Sequence, residues 1–198
     1  MALVSFGNLG QAGLLTDLAA NELPLEGWTD ASNVRFTGLG VEKVGGSQDI
    51  YGTQTVEPLY ALPILVAGNY TWAYAGTTKL YTLDGTTQYN ITRQTAAVDV
   101  DYAATNAAKW SGGNFNGIGI FNNGVDVPQS WIPTGLATKA TDLANWTSGL
   151  LCQTLRPFKN FLVAMNLTVS GTSYPTSIRW SHPADPAAVP ISWDITDE

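Results

Sequence analysis

Short apolar stretches separated by turn residues run along most of this chain, and the apolar spacing nowhere sustains a helical period. In the first part, Leu14-Leu15-Thr16-Asp17-Leu18 and Leu23-Pro24-Leu25 are broken runs. Val34 and Phe36, then Val41 and Val44, bracket the glycine-rich Gly38-Leu39-Gly40, which predicts a hairpin. Residues 1–55 therefore read as an arm with one hairpin, a docking segment too small for a core of its own. From residue 56 the pattern becomes denser. Residues 59–66 are apolar on both faces and predict a buried strand; Tyr70, Trp72 and Tyr74 alternate with Thr71 and Ala73, the period of a strand with one packed face. Gly76-Thr77-Thr78 turns the chain into 79–83, and Asp84-Gly85 is a hairpin signal ahead of 88–93.

This unit recurs. Asn69-Tyr70, Asn114-Phe115 and Asn160-Phe161 lie 45 and 46 residues apart, and each pair is expected to open an apolar strand. A turn follows each time, then a strand holding Leu80-Tyr81, Gln129-Ser130-Trp131 or Ile178-Arg179-Trp180. Self-similarity at this period, with short strands in each unit, is the signature of propeller blades. The expected fold is all-β, with β-propeller-like blades at about 56–100, 101–150 and 151–198; a β-sandwich is the alternative. Trp72, Trp131 and Trp180 are expected to fill the core between sheets. Three blades do not close a ring. The last residues offer nothing to seal a sheet edge, so further chain or neighbouring subunits are expected to cover it.

Composition sharpens this picture. Charged residues are 13% of the chain, about half the usual share, and a surface so poor in charge generally meets other protein. The net charge is −7 and the nine basic residues are scattered, which argues against a reader of duplex DNA. Cys152 is alone, so it builds no disulfide framework and reads as a small core residue. No run of apolar residues is long enough to span a membrane as a helix, and the N-terminus lacks the basic n-region of a signal peptide. The N-x-T sequons at Asn69, Asn90, Asn145 and Asn166 read as by-products of a strand-rich sequence full of Asn and Thr.

Candidate chemistry is sparse. His182 is the single histidine and sits in a turn with two prolines, which points to a structural role. With no partner for a zinc site, no nucleophile elbow and no phosphate loop, the chain reads as a non-enzyme without cofactor or metal. Asp99 and Asp101 read as solvated acidic surface, since calcium wants six to eight oxygens. Trp28 lies in the arm, where there is little core to fill; with Arg35 and Phe36 it forms the expected subunit interface.

Three stretches carry a family resemblance. The first runs from Pro24 through Trp28-Thr29-Asp30-Ala31-Ser32-Asn33-Val34-Arg35-Phe36 to Val41-Glu42-Lys43 and Gly45-Gly46. The second is Phe121-Asn122-Asn123-Gly124-Val125-Asp126-Val127-Pro128-Gln129-Ser130-Trp131. The third is Arg179-Trp180-Ser181-His182-Pro183-Ala184-Asp185-Pro186 with Pro190-Ile191-Ser192-Trp193, where His182 stands at a usually acidic position. In this order they resemble the tail nozzle, or packaged-DNA stabilisation, proteins of short-tailed phages (tail tubular protein B-like). The resemblance implies a virion protein made in the host cytoplasm, with copies of itself in a ring, a hexamer, below the portal and adaptor. Other tail proteins would be neighbours, and DNA would pass through the lumen without sequence-specific binding. Family members are usually several times longer than this chain. The alternatives are a receptor- or glycan-binding β-domain, and a propeller glycosidase.

Overall fold

The computed structural model describes residues 10–19, 21–24, 27–37, 40–105 and 109–193. It is all-β: the described residues form fifteen strands and no helix. The chain divides into two compact units, Met1–Asp49 and Ile50–Glu198.

In the first unit, β1 (Val34–Thr37) and β2 (Gly40–Lys43) make the expected antiparallel hairpin, with Val34 opposite Lys43. Leu14 and Trp28 form a parallel bridge; Leu15 N donates to Trp28 O at 2.8 Å and Trp28 N to Gly13 O at 3.1 Å. The boundary falls at residue 49 instead of 55 for a visible reason. Thr55 N and Oγ1 both donate to Gln88 Oε1 at 2.8 Å, and Gln88 Nε2 donates to Thr53 O, so this segment belongs to the second unit.

The second unit holds three main sheets, each an antiparallel meander in sequence order, and none is closed. Sheet one is β3 (Tyr60–Val66), β4 (Asn69–Ala75), β5 (Leu80–Asp84) and β6 (Thr87–Asn90), followed by the small hairpin of β7 (Gln94–Thr95) and β8 (Val98–Asp99). Sheet two is β9 (Ser111–Phe115), β10 (Ile118–Asn122), β11 (Gln129–Trp131) and β12 (Thr141–Asp142). Sheet three is β13 (Leu150–Phe158), β14 (Phe161–Val169) and β15 (Thr172–Trp180), three strands where a propeller blade has four.

Two-residue turns set the hairpins. Ala67-Gly68, Asn116-Gly117 and Ser170-Gly171 all have positive φ at both positions, from 48° to 87°. That left-handed pair matches the twist of the flanking strands. The Asn116-Gly117 turn corrects one expectation: residues 115–121 are not one strand but the end of β9 and most of β10. Asn69 opens β4 and Phe161 opens β14, whereas Asn114-Phe115 close β9. All three pairs flank the first hairpin of their sheet.

The core also corrects the assignment of faces. Leu62, Ile64 and Val66 of β3 are buried while Ala61, Pro63 and Leu65 are exposed, so this strand has one buried face, not two. On β4 the small side chains Thr71, Ala73 and Ala75 point inward; Tyr70 and Trp72 point outward. The cause lies opposite. Phe121 and Trp131 of sheet two fill the space against sheet one, leaving room only for small residues there. Trp131 is fully buried as expected, but Trp72 and Trp180 are 40% and 64% exposed.

Sheet two lies between the other two. Every residue of β10 is buried. Phe121 joins the core with sheet one, and a Cβ on Gly119 would meet Ile64 there. Ile118 and Ile120 join Leu150, Cys152, Leu155, Leu162 and Ala164 of sheet three in a second core. The leading strands β9 and β13 also meet: Leu155 N donates to Ser111 Oγ and Arg156 Nη1 to Gly112 O, both at 3.0 Å. In sheet three the register shifts between Met165 and Leu167, at Asn166 with φ 56°. This bulge moves the buried set from Leu162 and Ala164 to Leu167, out of simple alternation.

Candidate functional site

Adjacent residues of a strand point to opposite faces, and this separates the expected interface trio. Trp28 meets Phe36 edge-on, with ring centroids 6.1 Å apart. Arg35 lies on the other face of the hairpin, exposed, and pairs with its cross-strand neighbour Glu42 at 3.0 Å. Trp28 and Phe36 are half-buried, packed into the arm itself.

Asp99 and Asp101 are not simply solvated. Lys139 Nζ lies 3.0 Å from Asp99, and Lys79 reaches both Asp101 and, at 4.0 Å, Asp99. Asn90 Nδ2 and Gln94 Nε2 donate to Asp99 as well. The Gln94 hydrogen bond, with Lys139 next, holds the Asp99 carboxyl below its ordinary range, and Asp101 raises the Lys79 ammonium. Lysines occupy the ground a cation would take. Among the described residues no group of three or more His, Cys, Asp and Glu is placed to hold a metal.

The 121–131 stretch is the polar joint of the unit. Arg93, just beyond sheet one, pairs with Asp126 at 2.9 Å and Asp142 at 3.4 Å, and its guanidinium lies 4.9 Å from the Tyr102 ring centre. Asp126 also accepts from Asn123 Nδ2 and Ala103 N, while Asn123 Oδ1 accepts from Val125 N and Asp126 N. Gln129 Nε2 donates to Asp142 and Tyr102 OH donates to Gln129 Oε1. Burial pushes the Tyr102 hydroxyl well above its ordinary value. On the other side, Asn122 Nδ2 donates to Cys152 O at 2.9 Å. One stretch thus ties sheet two to both neighbours. Its carboxylate, Asp126, is held by Arg93, Asn123 and Ala103 of the chain itself.

Residues 181–193 fold back on sheet three. Ser181 Oγ accepts from Leu162 N, Ala184 N donates to Asn160 O, and Trp193 is buried edge-on to Trp146 at 4.5 Å. His182 is a turn residue here: its backbone N donates to Ser192 O, and Nδ1 lies 3.1 Å from Pro183 O.

What the sequence reading missed are two exposed apolar patches on outer sheet faces; on sheet one the patch is partial, since Tyr74 and Leu83 of the same face are buried. On the outer side of sheet three, Phe158, Phe161, Val163 and Trp180 line a shallow depression of about 240 Å³. The cross-strand pairs Phe158–Phe161 and Val163–Trp180 build it, and the pair Met165–Ile178 comes next along the strands. On the outer side of sheet one, Pro63 pairs with Trp72 and Leu65 with Tyr70, and Tyr70 is 87% exposed. The signal was present, since residues 59–66 are apolar at both alternations, but two apolar faces had been read as complete burial within one chain. A sugar platform needs polar groups beside its aromatic ring; all four residues lining the sheet-three depression are apolar.

No family model matches the chain, and no curated protein does.

Proposed function

We propose that this chain is a non-catalytic structural subunit of a phage tail, part of a nozzle or hub ring below the portal and adaptor that retains and then conducts the genome. In this reading its three sheets are consecutive propeller-like blades. The observation that carries it is the serial stacking: each sheet is a meander complete in sequence order, and β10 is buried toward both neighbours. A two-sheet sandwich has no middle layer, whereas blades around an axis are covered on both sides. The approach of β9 to β13 fits leading strands converging on such an axis. Low charge and two exposed apolar patches fit a part that works inside an assembly. The three sequence stretches supply the family, and two of them do structural work, joining the sheets and folding over the third.

The test is mass spectrometry and cross-linking on purified particles from the phage or prophage that encodes the chain. The expected result is its presence in tails, cross-linked to portal, adaptor or further tail protein. Recovery only as a free secreted or cytosolic protein would overturn the proposal.

A further inference from the structure

We infer that Lys139 and Asn90 join in an intramolecular isopeptide bond, with Asp99 as the acid–base partner and ammonia as the leaving group. The inference goes beyond the assembly reading and does not depend on it. Asn90 ends β6 of sheet one, and Lys139 lies just before β12 of sheet two. Beside them Ala140 N donates to Ile91 O at 2.8 Å, so the backbone already holds the two side chains next to each other. Lys139 Nζ lies 3.5 Å from Asn90 Oδ1, one bond away from the carbon it attacks. Asp99 touches both reacting nitrogens. Its Oδ1 lies 3.0 Å from Lys139 Nζ, and its Oδ2 accepts from Asn90 Nδ2 at 2.8 Å. Thr92 N donates to Asn90 Oδ1 at 2.8 Å, where negative charge gathers when the carbonyl is attacked. An amine, an amide, a carboxylate between their nitrogens and a donor on the carbonyl oxygen are the parts this acyl transfer needs. Lys79, the other lysine near Asp99, is 4.0 Å from it and is engaged by Asp101.

Lys139 starts as the ammonium and passes a proton to the Asp99 carboxylate, which the Gln94 hydrogen bond keeps ionised until then. The freed lone pair on Nζ forms a bond to Asn90 Cγ, and the carbonyl electrons move onto Oδ1. Asp99 then delivers its proton to Nδ2, the electrons on Oδ1 return, and the Cγ–Nδ2 bond breaks to release ammonia. The surplus proton on Nζ returns to Asp99 and leaves with the ammonia as ammonium. One amide is broken and one is made, with no change of oxidation state. The product ties sheet one covalently to sheet two.

The experiment is intact-mass spectrometry and tryptic mapping of the full chain, with Lys139→Arg and Asp99→Asn. Circular dichroism checks that each variant folds; Lys139→Gln and Asp99→Ala replace any that does not. The wild type is expected to be lighter than its sequence by one ammonia, with tryptic peptide 80–93 joined to a peptide left uncut at Lys139. Both variants are expected to keep their full sequence mass and to yield peptide 80–93 unjoined. A folded wild type at full sequence mass overturns the inference. So does an ammonia loss that maps to Asn116-Gly117 or Asn123-Gly124, where ring closure to a succinimide gives the same mass change without joining two peptides. A joined peptide that persists in Lys139→Arg overturns the assignment of the nucleophile, and one that persists undiminished in Asp99→Asn overturns the role of Asp99.

Discussion

Gly112 has φ 142°, and a Cβ there would overlap the carbonyl oxygen of Ile120 on the neighbouring strand. Its own carbonyl accepts from Arg156 of sheet three. Gly112→Ala is therefore expected to lower unfolding free energy by at least about 2 kcal/mol, read from urea midpoints. Arg93 and Asp126, with side chains 18% and 15% exposed, form a mostly buried pair; without its partner Arg93 keeps only the longer ion pair to Asp142, and Asp126 only the neutral donors Asn123 and Ala103. Arg93→Met or Asp126→Asn is expected to cost about 3 kcal/mol each, and the double variant less than the two together. Strict additivity would mean that the pair is not coupled. Asp99 gives the pH dependence. Its folded pKa lies below the unfolded value of about 3.9, so its contribution to stability is present above that pH and is lost as pH falls through the lower folded pKa. An NMR titration should find the Asp99 midpoint below that of an unfolded-chain carboxyl, moving up in Gln94→Ala. An Asp99 midpoint equal to the unfolded value would contradict the network. None of these pairings follows from sequence spacing: Arg93 and Asp142 are distant in the chain, and only the packing of sheet two on sheet one brings them together.

At the scale of elements, most of the strand order was legible. Alternation and turn residues located β1 to β6, and the pairs recurring at 45 and 46 residues lie beside the first hairpin of every sheet, although the pair at 114–115 closes a strand and does not open one. Two things were hidden. Asn116-Gly117 is a strong turn signal, but Phe115, Ile118, Ile120 and Phe121 flank it so closely that the apolar run masked the break. The second was the choice of face. Alternation says that Tyr70 and Trp72 lie opposite Thr71 and Ala73; it does not say which set is inside, and the aromatics of sheet two decided it. The bulge at Asn166 likewise leaves no mark in the pattern. The element on which the stack turns is β10. Ile120 is fully buried, so Ile120→Ala is expected to cost about 3 kcal/mol in unfolding free energy. Hydrogen exchange should rank β10 amides among the most protected in the second unit, while those of β15, whose side chains are mostly exposed, exchange sooner. Faster exchange in β10 than in β15 would contradict its central position.

At the scale of the molecule, a stack of three sheets has two ends, and both ends of this one carry exposed apolar patches. Low charge and a blade count too small for a ring are the sequence's grounds for expecting neighbours. The sequence reading expects an interface at Trp28, Arg35 and Phe36; large exposed side chains lie also at Trp72 and Tyr70 on one sheet and at Phe158, Ile178 and Trp180 on another. The exposed tryptophans make the claim measurable. Oxidative footprinting of the isolated, dilute chain and of the same chain in purified particles compares Trp72 and Trp180 with fully buried Trp131. The account predicts that Trp72 and Trp180 react in the dilute chain and become protected in particles, with Trp131 protected in both. Equal reactivity of Trp72 and Trp180 in the two states would contradict it.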